Sequence, residues 1–164
     1  MEKYSFEPLA EAHRKPVIDI FNYYIAETTA AYRRDPVGYD FFEHFTGDMP
    51  AYPAYAIRTE AGVVAGFCML EPFMKAPTFD AIAEATYFLH PGQTGRGIGS
   101  IALERLEADA KKMGIAKLVA NASSENEGSV RFHLARGFTE YGRLEGAGEK
   151  LGRKFGIVYL EKEL

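Results

Sequence analysis

The chain has 164 residues, of which 47% are hydrophobic and 26% charged, with a formal net charge of -4. That balance fits one folded domain, residues 1–164, rather than a disordered chain. It argues against a general nucleic-acid binder, whose surface has to neutralise phosphates.

The amino-terminal stretch Met1–Ala10 mixes charged and apolar residues and has no signal-peptide core. No apolar run reaches membrane-spanning length, so a cytoplasmic location with no membrane contact is expected. Tyr4–Pro8 reads as a first strand. Glu11–Ala26 carries Val17, Ile20, Phe21, Tyr24 and Ile25 at helical spacing. Ala30–Pro36 is a connector stopped by Asp35-Pro36, and Tyr39–Phe45 is a short aromatic helix. Tyr55–Thr59 and Val63–Glu71 are strand-like and separated by Glu60-Ala61-Gly62, a hairpin signal. The lone cysteine, Cys68, lies in the second of these strands and reads as core filler. Four scattered histidines lack ligand spacing, so no metal is expected.

Pro72–Pro77 reads as a loop and Phe79–Leu89 as a strand that His90-Pro91 ends, because proline cannot donate to a ladder. The glycine-rich stretch Gly92–Gly99 runs straight into a helix, Ile98–Met113, with Ile98, Ala102, Leu106, Ala110 and Met113 on one stripe and Gly114 beyond it. Ala116–Ala120 is a short buried strand and Ser129–Ala135 a helix ending at Gly137. Phe138–Leu144 and Phe155–Leu160 close the order as two strands. Strand, helices, strand meander and then strand–helix–strand–helix–strand–strand define an α/β fold with a mixed sheet.

The run from Thr86 to Ser100 carries the chemistry. A strand, a glycine-rich turn and a helix start follow one another there. The first N–H groups of a helix have no internal acceptor and sit at the positive end of its dipole. Glycines let the backbone approach an anion, so Thr94, Gly95, Arg96, Gly97, Ile98, Gly99 and Ser100 form a candidate phosphate cradle, with Arg96 adding charge. The run lacks both the P-loop pattern and the third glycine of G-x-G-x-x-G. A tight structural turn is the alternative.

This run resembles the pyrophosphate loop of the GNAT acetyltransferase superfamily, with Gly97 and Gly99 on its glycines; the leading Gln/Arg of that pattern falls on Thr94, a departure, with Gln93 one residue early. Over nearly its whole length the chain is similar to the phosphinothricin N-acetyltransferase-like group. Tyr23-Tyr24-Ile25 and Tyr32-Arg33-Arg34-Asp35-Pro36 resemble the group's first helix and its aromatic-Arg-Thr-x-Pro segment. Glu84-Ala85-Thr86-Tyr87 resembles its glutamate strand, and Asn126, Ser129 and His133 with Gly137-Phe138 its Asn-x-x-Ser-x-x-x-His helix. Gly148, Lys150 and Gly152 match a late glycine-lysine segment. Two positions depart from the group: Ala76 stands where it has a loop arginine, and Lys154-Phe155-Gly156 replaces its Trp-x-Asp.

The resemblance implies a GNAT-like, mostly antiparallel sheet of about seven strands flanked by about four helices. It implies acetyl-CoA as the acetyl donor, a small-molecule amine as acceptor, and a homodimer. A carboxylate that takes the acceptor's proton is needed, and Glu84 has that role in the group; from the residues alone, a base and a solvated strand charge are equally open. Asp80 is the second choice. Main-chain groups of Phe88 and Leu89 would pair with the pantetheine arm, as would Asn126 and Ser129, although Asn126 also suits a helix cap. His133 is either an acid for the leaving thiolate or a packed helix residue. Tyr32, Arg33, Phe73, Lys75 and Phe79 would build an aromatic acceptor pocket with cations, suited to an amino-acid-like molecule. A non-catalytic acyl-CoA sensor, a module for another phosphate ligand and a protein N-acetyltransferase are the rival readings.

Overall fold

The computed structural model describes residues 2–164; Met1, at the head of the amino-terminal segment read above, lies outside them. Seven strands form one sheet in the order β1-β2-β3-β4-β5-β7-β6. They are β1 (Tyr4–Pro8), β2 (Ala54–Thr59), β3 (Val64–Pro72), β4 (Ile82–Leu89), β5 (Lys117–Ser123), β6 (Thr139–Lys150) and β7 (Arg153–Glu163). Four helices accompany them: α1 (Arg14–Glu27), α2 (Phe42–Thr46), α3 (Ile98–Lys112) and α4 (Glu127–Ala135). All neighbours are antiparallel except β4 and β5. The expected α/β fold with a mostly antiparallel mixed sheet is therefore what the chain adopts.

Two apolar cores lie on opposite faces of the sheet. Ile98, Ala102, Leu103, Leu106 and Ala110 of α3 pack on one face, against Tyr55, Ile57, Cys68, Leu70 and Leu118. Val17, Ile18, Ile20, Phe21 and Ile25 of α1 pack on the other, with Phe42, Phe67 and Met69. Strand β3 feeds both cores, which is why its sequence is a continuous apolar run rather than an alternating one. Cys68 is fully buried, and burial pushes its thiol pKa upward, as core filler requires. Met113, expected on the buried stripe of α3, instead caps the helix and is exposed.

Several boundaries differ from the sequence reading. Glu11–His13 form a 3-10 turn ahead of α1, and Pro16 sits in the first turn of α1, where a missing N–H costs nothing. Strand β4 begins at Ile82 rather than Phe79, because Pro77 opens a 3-10 turn closed by Phe79 N–H to the Ala76 carbonyl. The last two strands are one long hairpin. Leu151 and Gly152, with φ of 54° and 74°, make a two-residue turn of the kind that suits the strand twist. Gly142 and the stretch from Leu144 to Gly148 fall at register shifts, so β6 runs on through bulges to Lys150 instead of ending at Leu144.

Leu106 is fully buried beneath the sheet. Leu106→Ala is expected to destabilise the fold by about 2–5 kcal/mol, measured by urea unfolding.

Candidate active site

Strands β4 and β5 are joined by only three registered pairs: Ile82 with Lys117, Ala83 with Leu118 and Glu84 with Val119. Beyond Glu84 the two strands part. β3 holds one side of β4 to its end at Leu89, while β7 holds β5 through Ser123. The space between them is a cavity of about 890 Å³. Its walls bring together Tyr32, Arg33, Glu84, Phe88, Leu89, Thr94, Gly95, Gly97, Ile98, Gly99, Ser100, Asn126, Ser129 and His133, all singled out in the sequence.

At one end of the cavity the chain turns from β4 into α3. Gly95 and Gly97 have φ of 75° and 81°, a left-handed conformation that side chains resist. Gly97 caps α3, and a Cβ built on it or on Gly95 would meet no atom within 4 Å, so the loop faces open space. The α3 amino terminus therefore offers its N–H groups and dipole to an anion. The guanidinium of Arg96 is not on the cavity wall; it lies 3.4 Å from Glu2. A second cation, Arg136, was not evident in the sequence. It reaches back from the end of α4 to donate to the Ser100 hydroxyl and lies over the Phe132 ring.

At the point where the strands part, Glu84 is held by neighbours on the same face. Asn121 Nδ2 donates to Glu84 Oε1 at 2.6 Å, and the Tyr32 hydroxyl donates to Asn121 Oδ1 at 2.6 Å. Among the described residues no group donates to Glu84 Oε2. Burial raises the Glu84 pKa, and the Glu71 carboxylate directly across the β3–β4 ladder raises it further; the Asn121 hydrogen bond opposes both. Tyr32 is pushed up to about 12 by burial and by the charges of Glu84 and Tyr159, so its hydroxyl stays a donor. Asn121 was missed in the sequence because it lies one residue past the apolar run that marked the strand.

His133 is 2% exposed and committed at both nitrogens. Its Nδ1 lies 2.7 Å from the Ser129 carbonyl, which can only accept, so Nδ1 carries the proton. Nε2 then accepts from the Tyr87 hydroxyl, with the rings stacked at 5.6 Å. Burial lowers the His133 pKa, and the neutral ring has no proton free to give. Of the two roles open in the sequence, these contacts favour packing. Asn126 caps α4, its Oδ1 accepting from Ser129 N–H at 3.2 Å, and the residue lines the cavity. The Leu89 carbonyl accepts the Tyr24 hydroxyl at 2.5 Å.

Three expected acceptor residues do not line the cavity. β3 stops at Pro72 and the following loop turns away, so Phe73 packs edge-on against Phe79 at 6.2 Å, and the Lys75 ammonium lies exposed, 3.9 Å from Asp48. Asp80 is also exposed, ahead of β4. Arg33 does reach the wall, its guanidinium over the Phe41 ring at 4.5 Å.

A half-open sheet, an anion-ready helix start and a half-buried carboxylate meet in one cavity. The sequence profile of the Acetyltransferase (GNAT) family matches residues 17–138, and the chain belongs to that family. It is 27% identical over 161 residues to a phosphinothricin N-acetyltransferase of Streptomyces coelicolor, covering 96% of this chain and 94% of that one. It is also 27% identical over 152 residues to an L-methionine sulfoximine/L-methionine sulfone acetyltransferase of Salmonella typhimurium, covering 90% and 87%. The fold is shared with a GNAT superfamily phosphinothricin acetyltransferase of Sinorhizobium meliloti in complex with acetyl-CoA, at a TM-score of 0.90 and 22% identity over 98% of this chain and 88% of that one. The protein is an acetyl-CoA-dependent N-acetyltransferase. The open glycine loop and the parted strands fit that donor.

Among the described residues no helix is long and apolar enough to cross a membrane, and no group of His, Cys, Asp and Glu is placed to hold a metal ion.

Gly97→Ala is expected to weaken acetyl-CoA binding about tenfold, because the added Cβ strains the left-handed cap by about 1–2 kcal/mol and shifts the cradle. Thermal stabilisation measured over an acetyl-CoA titration reads this.

Proposed function

We propose that the whole chain works as one acetyltransferase domain on a small, amino-acid-like amine, with Glu84 as the general base. The observation that carries this reading is the position of Glu84: a half-buried carboxylate with one oxygen tied to Asn121 and the other free, at the fork of the cavity. When bound, acetyl-CoA supplies the acetyl thioester. Glu84 Oε2 takes a proton from the acceptor's ammonium, freeing the nitrogen lone pair for direct attack. The raised pKa, caused by burial and by Glu71, makes Glu84 a stronger base than an exposed glutamate. Asn121 and Tyr32 fix the direction of the carboxylate.

The acceptor's other end meets Arg33. A molecule with an ammonium for Glu84 and an acid group for Arg33 fits the two charges on this wall, and the names of the relatives point to such acceptors. The group's loop arginine is Ala76 here, and neighbouring Lys75 faces Asp48, so Arg33 is the cation assigned to the acid group. His133 acts through Tyr87, fixing the wall; as the tetrahedral adduct collapses the C–S bond breaks, and the thiolate takes, through water, the second proton that the attacking nitrogen loses as it becomes an amide.

Glu84→Gln is expected to lower kcat by about 10²–10⁴-fold and to leave the acetyl-CoA dissociation constant within about twofold, since the amide keeps the shape and loses the base. The wild-type kcat/KM should rise with pH as Glu84 ionises, with a midpoint above the usual carboxylate range; Glu84→Gln should lose that limb. Unchanged turnover in the variant would remove Glu84 as the base.

A further inference from the structure

The late segment Gly148–Lys150–Gly152 takes no part in the chemistry above, yet it holds a buried cation. Lys150 is 4% exposed and pairs with no carboxylate among the described residues. Its ammonium donates to the Ala31 carbonyl at 2.6 Å and reaches the Tyr24 carbonyl at 3.5 Å. A charge removed from water needs such acceptors. Tyr24 lies in the last turn of α1, where the helix dipole also favours a cation. Ala31 immediately precedes Tyr32, so one side chain from the β6–β7 hairpin grips the end of α1 and the residue before the acceptor wall.

The two glycines serve the same grip. Gly152, with Leu151, makes the tight turn that ends β6 just beyond Lys150. A Cβ on Gly148 would come within 2.6 Å of the Phe155 ring, so glycine there lets that ring lie against β6. Phe155 in turn stacks on Tyr32, at 6.1 Å and 23° between planes. Charge and ring reach the Tyr32 segment from the same hairpin.

We propose that Lys150 is a positioning residue for the acceptor wall: by holding Ala31, with Phe155 behind Tyr32, it keeps the Tyr32–Asn121–Glu84 chain in line. This rests on the reading of that chain as the acceptor side of the site. The test is Lys150→Met, alone and combined with Tyr32→Phe. L-methionine sulfoximine serves as the acceptor probe, and hydrogen exchange of residues 28–36 is followed without any acceptor.

Lys150→Met should raise the acceptor KM about tenfold, keep acetyl-CoA affinity within about twofold, and speed exchange in residues 28–36 alone. In the Tyr32→Phe background the same change should move KM less than about twofold, because the two residues act through one another. Unchanged exchange and KM would overturn the proposal, as would an undiminished tenfold effect in the Tyr32→Phe background. Equal losses of acceptor and acetyl-CoA binding with faster exchange throughout would reduce Lys150 to a structural residue and overturn it too. Tyr32→Phe without effect on its own would instead remove the acceptor-side reading and the proposal together. If wild type fails to acetylate the probe, that failure belongs to the proposed function, and exchange still reports the grip. Should Lys150→Met not fold, Phe155→Leu keeps the cation and removes only the ring beneath Tyr32, with a KM rise again expected and none overturning the proposal.

Discussion

The parting of β4 from β5 is the constraint on which the rest of the structure depends. A sheet interior normally pairs every backbone group, and an unpaired one carries a cost unless something satisfies it. Here the parallel ladder stops after Glu84 and Val119, while antiparallel partners on the outer sides keep both strands extended. The opening is thus held by the two halves of the sheet and does not rely on a mobile loop. It produces a slot next to the start of α3, so a donor with a phosphate at one end and a reactive group at the other can be received in a single extended pose. Local unpairing of a strand becomes a binding site because the helix that follows is aimed at it.

The fork also explains the electrostatics. Glu84 occupies the last joined pair, where the sheet is still closed enough to half-bury a carboxylate and open enough to leave it on the cavity wall. Glu71 across the ladder and burial both favour the protonated form, and Asn121 restores part of the balance. The direction of the Asn121 amide is set by Glu84: a carboxylate only accepts, so the nitrogen faces Glu84 and the oxygen is left to accept the Tyr32 hydroxyl. A similar restriction applies at His133, where the Ser129 carbonyl fixes the tautomer and leaves Tyr87 as the donor. Neighbouring polar groups in the cavity are in this way ordered by which partner can give a proton.

Much of this was readable in the chain. The period of Ile98, Ala102, Leu106 and Ala110, set after a strand and a glycine-rich turn, marked α3 and its exposed amino terminus. Glu84 was singled out through the resemblance, since the residues alone left a base and a solvated strand charge equally open. What could not be read depends on contacts distant in sequence. Asn121 lies 37 residues from Glu84, and its strand runs on past the apolar residues only because β7 pairs with it. Arg136 and Tyr87 gain meaning only once α4 is folded against α3 and β4. Phe73, Lys75 and Phe79 stand near Glu84 in sequence, but nothing local tells which way the loop after Pro72 folds. The glycines of β6 were ambiguous for a physical reason: they suit both a break and a bulge, and only the pairing with β7 decides between them.

The central claim is that this cavity acetylates a small amine bearing an acid group. Its most direct measurement is thiol release from acetyl-CoA across a panel of acceptors: L-methionine sulfoximine, phosphinothricin, ordinary amino acids, polyamines and a short peptide. Release with the amino-acid-like members, absent with polyamines and the peptide, is the predicted result. Release with the peptide alone, or none while acetyl-CoA still protects the protein against heat, would contradict it and point to a protein acceptor or a donor-binding sensor.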